Sequence, residues 1–77
     1  MMYHIDWDAV LENLNDHLRE AMRGERQCDP DDERNPYTFR IFGLQEMIGS
    51  IERGHLSHAY LVIAEEFGEE YFDDFLL

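Results

Sequence analysis

The stretch EEFGEEYFDDF, residues 65–75, carries six carboxylates and no Lys or Arg. They are Glu65, Glu66, Glu69, Glu70, Asp73 and Asp74. On one continuous α-helix they would form two adjacent columns, in which successive members lie four residues and about 6 Å apart. Carboxylates presented in this way pair with Arg or Lys side chains of another molecule through charge-assisted hydrogen bonds. The stretch therefore predicts a surface that binds a cationic partner.

Such a helix would be costly to its own stability. Like charges four residues apart oppose a helix by about 0.2–0.5 kcal/mol per pair, and acids near its C-terminus meet the unfavourable end of the helix dipole. A cost that nothing inside the chain offsets indicates a use outside it. The alternative interpretation is a solvated, solubilising helix face, which is what most charge runs are.

Acidic residues in two other segments favour the binding interpretation. Asp8, Glu12, Asp16 and Glu20 are spaced by four along the first predicted helix, and the polar segment CDPDDERNP adds four more acids. The further candidates for partner binding are Glu12, Asp16, Asp29, Asp31, Asp32 and Glu33. Rows of carboxylates resemble the phosphates that a nucleic-acid-binding protein attracts into its basic groove.

The composition excludes several classes of protein. A net charge of −12 on 77 residues argues against direct binding to nucleic acid or to an anionic membrane, because each would be repelled. A hydrophobic content of 44% is sufficient for a packed core and separates the chain from disordered acidic tails. At this length we expect a single domain, residues 1–77.

The cysteine count and the hydropathy indicate the compartment. A lone cysteine, Cys28, cannot form an internal disulfide, which favours a reducing cytosol. The start MMYHIDWD has neither the basic nor the apolar region of a signal peptide, and no segment approaches the length of a membrane span. We therefore expect a cytoplasmic protein.

The first element that positions these acids is a helix over residues 6–23. Its apolar residues follow the 3.6-residue period of one helix face, and they are Trp7, Val10, Leu11, Leu14, Leu18, Ala21 and Met22. Asp6 is a suitable N-cap, and Gly24 is a suitable stop. Residues 25–36 are rich in acids and prolines and predict a loop.

Two further amphipathic segments complete an all-α fold, a small bundle of three helices. Asn35 and Pro36 indicate a helix start, and an apolar stripe then continues to a predicted end near Gly54. A strand over residues 37–42 is the alternative, but it would have no partner strand. The third stripe begins at Leu56 and reaches Phe75, and Gly68 leaves open whether this helix is continuous or broken.

Some apolar residues fall outside these stripes. They are Phe39, Phe42, Phe72, Leu76 and Leu77. Since one small core cannot absorb every apolar position, a homodimer or an apolar patch for a partner is an alternative use of them. Trp7 is expected to anchor the core, whereas Tyr3 and His4 are candidates for exposed contact.

The remaining reactive residues do not form a recognised site. His55 and His58 are three residues apart and would need Glu65 or Glu66 to complete a metal site, but the spacing alone is common. Cys28 lacks the surroundings of a catalytic nucleophile, and its acidic neighbours suppress thiolate formation. The acids after Cys28 lack the glycine and the terminal glutamate of an EF-hand loop. We expect no enzymatic activity, no metal and no cofactor.

In size, in the stretch EEFGEEYFDDF and in the segment CDPDDERNP, the chain resembles the small acidic inhibitors that phages and other mobile elements use against bacterial defence. These include anti-CRISPR proteins and DNA-mimicking anti-restriction proteins. The resemblance implies an inhibitor that occupies a basic nucleic-acid channel or an assembly surface of a defence complex. Arg34 and Arg40 depart from pure mimicry of DNA. The alternative from another class is a helical adaptor or regulatory module that is homodimeric.

Overall fold

The computed structural model describes residues 4–27 and 36–77, and these form three α-helices followed by a 3₁₀ helix. The α-helices are α1 (Trp7–Gln27), α2 (Pro36–Glu52) and α3 (Leu56–Phe67), and the 3₁₀ helix is Glu69–Phe75. The predicted all-α bundle is confirmed. Neither α1, α2 nor α3, within these two ranges, has the length and hydropathy that a transmembrane helix requires.

Helix α1 starts as predicted and ends later than predicted. An Asp6 carboxylate oxygen accepts a hydrogen bond from the backbone N–H of Ala9 at 3.2 Å, which is N-cap geometry. The predicted stop at Gly24 is wrong, because the helix continues to Gln27. Gly24 instead allows α2 to approach closely: a Cβ there would lie 2.5 Å from Cε1 of Tyr37. The predicted loop thus loses its first residues to α1, and residues 28–35 lie outside the described ranges.

The segment after Pro36 is helical, so the strand alternative for residues 37–42 is wrong. Helix α2 ends at Glu52, close to the predicted end at Gly54. Gly54 has a φ of 79°, and the backbone N–H of His55 donates to the Ser50 carbonyl at 2.8 Å. A left-handed residue closed by such a bond ends the helix and turns the chain into α3.

The core lies where the three helices meet. Val10, Leu14 and Ala21 come from α1, and Ala59 and Ile63 come from α3. Helix α2 contributes the largest share, namely Ile41, Leu44, Met47 and Ile48. The apolar stripes predicted from the 3.6-residue period are therefore the faces that pack together.

The third apolar stripe does not form one continuous helix, because α3 ends before Gly68 and a 3₁₀ helix follows it. Gly68 has a φ of 88°, and its backbone N–H donates to the Ala64 carbonyl at 2.9 Å, which closes α3. The 3₁₀ helix then returns to the start of α1. There the Asp6 N–H donates to the Phe75 carbonyl at 2.7 Å, and the Leu77 N–H donates to the His4 carbonyl at 2.7 Å.

The break also changes which aromatic residue is buried. Phe72 was expected outside the apolar stripe, but its side chain is only 3% exposed. A 3₁₀ helix has three residues per turn, so Phe72 aligns with Phe75 on the inner face. The expectation for Trp7 is met: it is half-buried, packs against the core and meets the Phe72 ring edge-on at 5.9 Å.

Candidate partner-binding surface

The six carboxylates of residues 65–74 all lie on the surface, but they do not form two continuous columns. Glu65 and Glu66 belong to the last turn of α3, and the other four belong to the 3₁₀ helix. Because the chain turns at Gly68 and then follows a three-residue period, the spacing of four no longer aligns Glu65 with Glu69 or Glu69 with Asp73. The predicted column geometry is therefore wrong across this segment. We call the six residues the acidic surface.

The turn relieves part of the expected electrostatic cost. Glu69 and Glu70 now occupy the first turn of a new helix, where free backbone N–H groups favour negative charge. Glu65 and Glu66 remain at the unfavourable end of α3, whose last turn contains no basic residue. The self-repulsion inferred from the sequence is thus reduced by the fold and not removed.

Within the described ranges, no basic side chain neutralises the carboxylates of the acidic surface. All six residues of the acidic surface are exposed, and none forms an ion pair with any residue in 4–27 or 36–77. Residues 56–77 contain no Lys or Arg at all. The carboxylates therefore face solvent as free acceptors, which is the state in which they can pair with an external cation.

A cluster of aromatic rings holds the acidic surface in place. Tyr60 and Phe72 stack with centroids 4.6 Å apart, and Tyr71 contacts Phe67 at 5.1 Å and Phe75 at 4.9 Å. Tyr71, Phe72 and Phe75 alternate in sequence with the exposed acids, so the burial of these rings fixes the direction of the carboxylates. The exposed carboxylates are thereby carried on a packed backbone.

Tyr71 also connects the acidic surface to α1. Its hydroxyl donates a hydrogen bond to the side-chain oxygen of Asn13 at 2.6 Å. Burial raises the pKa of Tyr71 from 10.0 to about 12, since desolvation disfavours the phenolate. The neutral phenol is therefore the form that holds this contact at neutral pH.

The contact at Asn13 brings the 3₁₀ helix beside the acids of α1. Glu12 and Asp16, which precede and follow Asn13 along α1, are both exposed. Asp16 forms an ion pair with Arg19 on the same helix, whereas Glu12 has no cationic partner within the described residues. The remaining candidates, Asp29, Asp31, Asp32 and Glu33, lie outside the described ranges.

Arginines occupy a different part of the molecule. Arg19, Arg23 and Arg26 border a shallow depression of about 240 Å³ around Met22, on the C-terminal part of α1. Arg40 lies on α2 and is exposed, and Arg34 is not among the described residues. The three arginines of α1 are thus grouped around Met22, among acids of the same helix, and this grouping was not predicted from the sequence.

No group of three or more His, Cys, Asp or Glu residues within 4–27 and 36–77 is arranged to hold a metal ion. His58 Nε2 lies 3.2 Å from the Glu46 carboxylate, and His55 is exposed at the start of α3. The His17 ring packs against Phe67 at 5.5 Å, and Cys28 is outside the described ranges.

Sequence analysis missed one concave feature. An open groove of about 340 Å³ lies between the N-terminal half of α2 and the C-terminal end of α3. Phe39 and Phe67 stand at its edges. The signal that could have found it is the pair Phe39 and Phe42, which lie outside the core stripe of α2. Their side chains are 75% and 64% exposed.

Comparison of the chain with protein-family models, with curated proteins and with solved structures finds no match. The function is therefore inferred from the residues of the acidic surface.

Proposed function

We propose that this chain is a non-enzymatic inhibitor that binds a positively charged surface of a bacterial defence complex, of the kind that anti-CRISPR and DNA-mimicking proteins target. The partner surface is one that normally holds nucleic acid or serves in assembly. The observation that supports the proposal is the acidic surface: six exposed carboxylates without an ion pair among the described residues, carried on a packed aromatic base.

The electrostatics of the chain suit this task. A net charge of −12 steers a cationic partner toward the molecule and repels nucleic acid and anionic membranes. In the complex, Glu69, Glu70 and their neighbours accept hydrogen bonds from Arg or Lys side chains that otherwise contact phosphates. Glu12 and Asp16 extend the contact along α1, since the 3₁₀ helix lies beside them.

Association kinetics test the proposal. The partner is first captured from bacterial lysate at low salt and released at high salt, then purified. The double variant Glu69→Lys/Glu70→Lys should associate at least about tenfold more slowly than the natural chain, because mutation of a peripheral charge acts mainly on the association rate. The variant should still fold, since both side chains are exposed, but with lower stability, because Lys at the start of the 3₁₀ helix loses the favourable interaction of Glu with the free backbone N–H groups.

The matched control is Glu25→Lys/Glu52→Lys, which changes the net charge equally at exposed positions outside the acidic surface. We expect it to slow association much less. Equal slowing by the two variants would assign the effect to overall charge, and unchanged association of the Glu69/Glu70 variant would refute the proposed mechanism.

The alternative function is a helical adaptor that dimerises through exposed apolar side chains. Phe39, Phe42, Leu76 and Leu77 are available for this purpose, whereas Phe72 is buried within the monomer and is not. Sedimentation equilibrium separates the two functions. A stable dimer that Phe39→Ser dissociates would favour the adaptor, and a monomer favours the inhibitor.

A further inference from the structure

The groove between α2 and α3 has an apolar floor and an open top. Leu44 and Met47 are buried beneath it, and Phe39 and Phe67 flank it with 75% and 38% of their surfaces exposed. Gly43 leaves the middle open, because a Cβ at this position would meet only the Met47 methyl group, at 4.0 Å. Its volume of about 340 Å³ lies at the lower end of the roughly 300–1,000 Å³ range of ligand clefts. It can accept one large apolar side chain.

Charged side chains stand on both walls of the groove. Arg40 lies on the α2 wall and Glu66 on the α3 wall, and no ion pair joins them. Glu66 belongs to the acidic surface, and it is the member of that surface that lines the groove. The groove therefore borders the acidic surface at Glu66. A segment that fills it would place a flanking side chain against this carboxylate.

Two segments of this chain are poor occupants. Residues 28–35, CDPDDERN, precede α2 but contain no large apolar side chain. Residues 1–3 are apolar, yet three extended residues span only about 10 Å. They precede the start of α1, whereas the groove wall Phe67 packs beside His17. Because Trp7 and His17 are about 15 Å apart along α1, residues 1–3 are too short to reach the groove.

A second copy of the chain is also disfavoured. It would bring another net charge of −12 and a second acidic surface to a groove that already borders one. Like charges placed across an interface oppose association. Charge complementarity thus selects a different molecule, one that combines an apolar side chain with surrounding cations.

We propose that the groove docks an amphipathic helix of the cationic partner, with a large apolar residue seated between Phe39 and Phe67 and with Lys or Arg residues directed toward Glu66. The proposal rests on the proposed function and specifies the chemistry of its partner. Phe42, one turn after Phe39, extends the apolar contact on the outer face of α2. This is the helix-in-groove mode of recognition, in which the groove supplies residence time and the acidic surface supplies steering.

Gly43 offers a variant that blocks the groove without unfolding the chain. Gly43→Leu would place a side chain in the open space above Met47. Because Leu has a higher helix propensity than Gly, α2 should become more stable. Gly49→Leu is the matched control: it makes the same change on the same helix, where the nearest obstacle is the flexible Arg53 side chain at 3.2 Å.

The probe is a synthetic amphipathic helix of about 20 residues, long enough to span the groove. It carries one central Trp on its apolar face and Lys on its polar face. Two further peptides isolate the chemistry: in one, Trp is replaced by Ala, and in the other, every Lys is replaced by Glu. Binding is followed by NMR through the amide signals of Gly43 and Phe67.

We expect the Lys–Trp peptide to shift these two amide signals. Gly43→Leu should weaken its binding by about tenfold or more, as removal of a central anchor does, and Gly49→Leu should not. The peptide with Ala in place of Trp should bind the natural chain about as weakly as the Lys–Trp peptide binds Gly43→Leu. The peptide with Glu in place of Lys should not bind the natural chain.

The inference is overturned if the Lys–Trp peptide causes no shift at about 1 mM, if Gly43→Leu leaves its affinity unchanged, or if the Glu peptide binds equally well. A dimer that Gly43→Leu dissociates would assign the groove to a second copy and overturn it as well. Failure here remains distinguishable from failure of the proposed function, because the slower association of Glu69→Lys/Glu70→Lys does not require the groove.

Discussion

The acidic surface and the C-terminal part of α1 differ in whether their acidic residues have basic neighbours. In residues 65–75 six carboxylates occur without a cation, and none forms an ion pair within the described part of the chain. In residues 19–26 three arginines alternate with acids, and Arg19 pairs with Asp16 on the preceding turn. Such mixing is typical of a solvated helix. The comparison shows that the acidic surface, unlike residues 19–26, has no basic residue within its own stretch of sequence.

The two regions also differ in how they are anchored. Aromatic rings lie beneath the acidic surface, and the hydrogen bond from Tyr71 to Asn13 joins it to α1. The arginine-bearing part of α1 is held by a close approach, in which Gly24 leaves room for the Tyr37 ring. Substitutions that disturb each of these contacts can show whether the positions of the charged side chains depend on the packing beneath them.

The largest effect is expected from Phe72→Ala. Phe72 is 3% exposed and contacts the rings of Trp7, Tyr60 and Tyr71. Its truncation should lower the free energy of unfolding by about 3–5 kcal/mol, which urea denaturation can measure. Phe39→Ala, at an exposed position, is the control and should change it by less than about 0.5 kcal/mol. Similar small losses from both would show that the acidic surface is not supported by this cluster.

Gly24→Ala tests the anchor of the arginine-bearing region. The added methyl group would lie 2.5 Å from the Tyr37 ring, so α1 and α2 must separate or the ring must move. We expect a net loss of about 1–2 kcal/mol, because overpacking outweighs the gain in helix propensity. Gly43→Ala should instead stabilise the protein by up to about 1 kcal/mol, since its Cβ meets open space. Thermal denaturation of both variants measures the contrast.

Gly68→Ala tests the turn that divides the acidic surface. The φ of 88° is unfavourable for a residue with a Cβ, so we expect a loss of about 1–2 kcal/mol. The loss should shrink if α3 continues through the new alanine, because the backbone strain is then removed, although the continuous helix regains the self-repulsion that the turn relieves. A rise in helicity by circular dichroism, without loss of stability, would show that the continuous helix is the preferred state.

Tyr71→Phe is expected to have the smallest effect, about 0.5–1.5 kcal/mol for the hydrogen bond to Asn13. The pH dependence gives a second readout. The folded protein holds the phenol proton to a pKa of about 12, whereas the ordinary value is 10.0. The stability from this burial is therefore complete below pH 10 and is lost as the pH rises toward 12. The decline over this range should be less steep in Tyr71→Phe, and an unchanged slope would contradict the assignment.

Sequence patterns were sufficient to predict the three α-helices because each buries one stripe with a 3.6-residue period. Gly24 could not be interpreted in this way. A glycine near a predicted helix end is compatible with a stop and with a close approach, and only the position of Tyr37 distinguishes them. Phe72 was misplaced for a related reason: the period changes from 3.6 to 3 residues per turn after Gly68.

Surface features were predictable to different degrees. The exposure of Glu69, Glu70 and the other acids follows from the cost of burying charge, so composition alone indicates it. Their arrangement depends on the turn at Gly68, and the columns inferred from spacing are absent. The groove depends on how far α2 and α3 diverge near Phe39 and Phe67, which no local pattern encodes. The apolar residues of α2 outside its core stripe predicted only a homodimer contact or an apolar patch, without its position.

The most direct test of the central claim is a neutralised acidic surface assayed in cells. The variant carries Gln in place of Glu65, Glu66, Glu69 and Glu70 and Asn in place of Asp73 and Asp74, which keeps side-chain shape and removes six negative charges. The measurement is the plating efficiency of a phage on a defence-bearing host that expresses either the variant or the natural chain, which the proposed function predicts to suppress the defence. We predict that the neutralised chain, folded and expressed at the same level, no longer suppresses the defence. Full suppression by this variant would contradict the account.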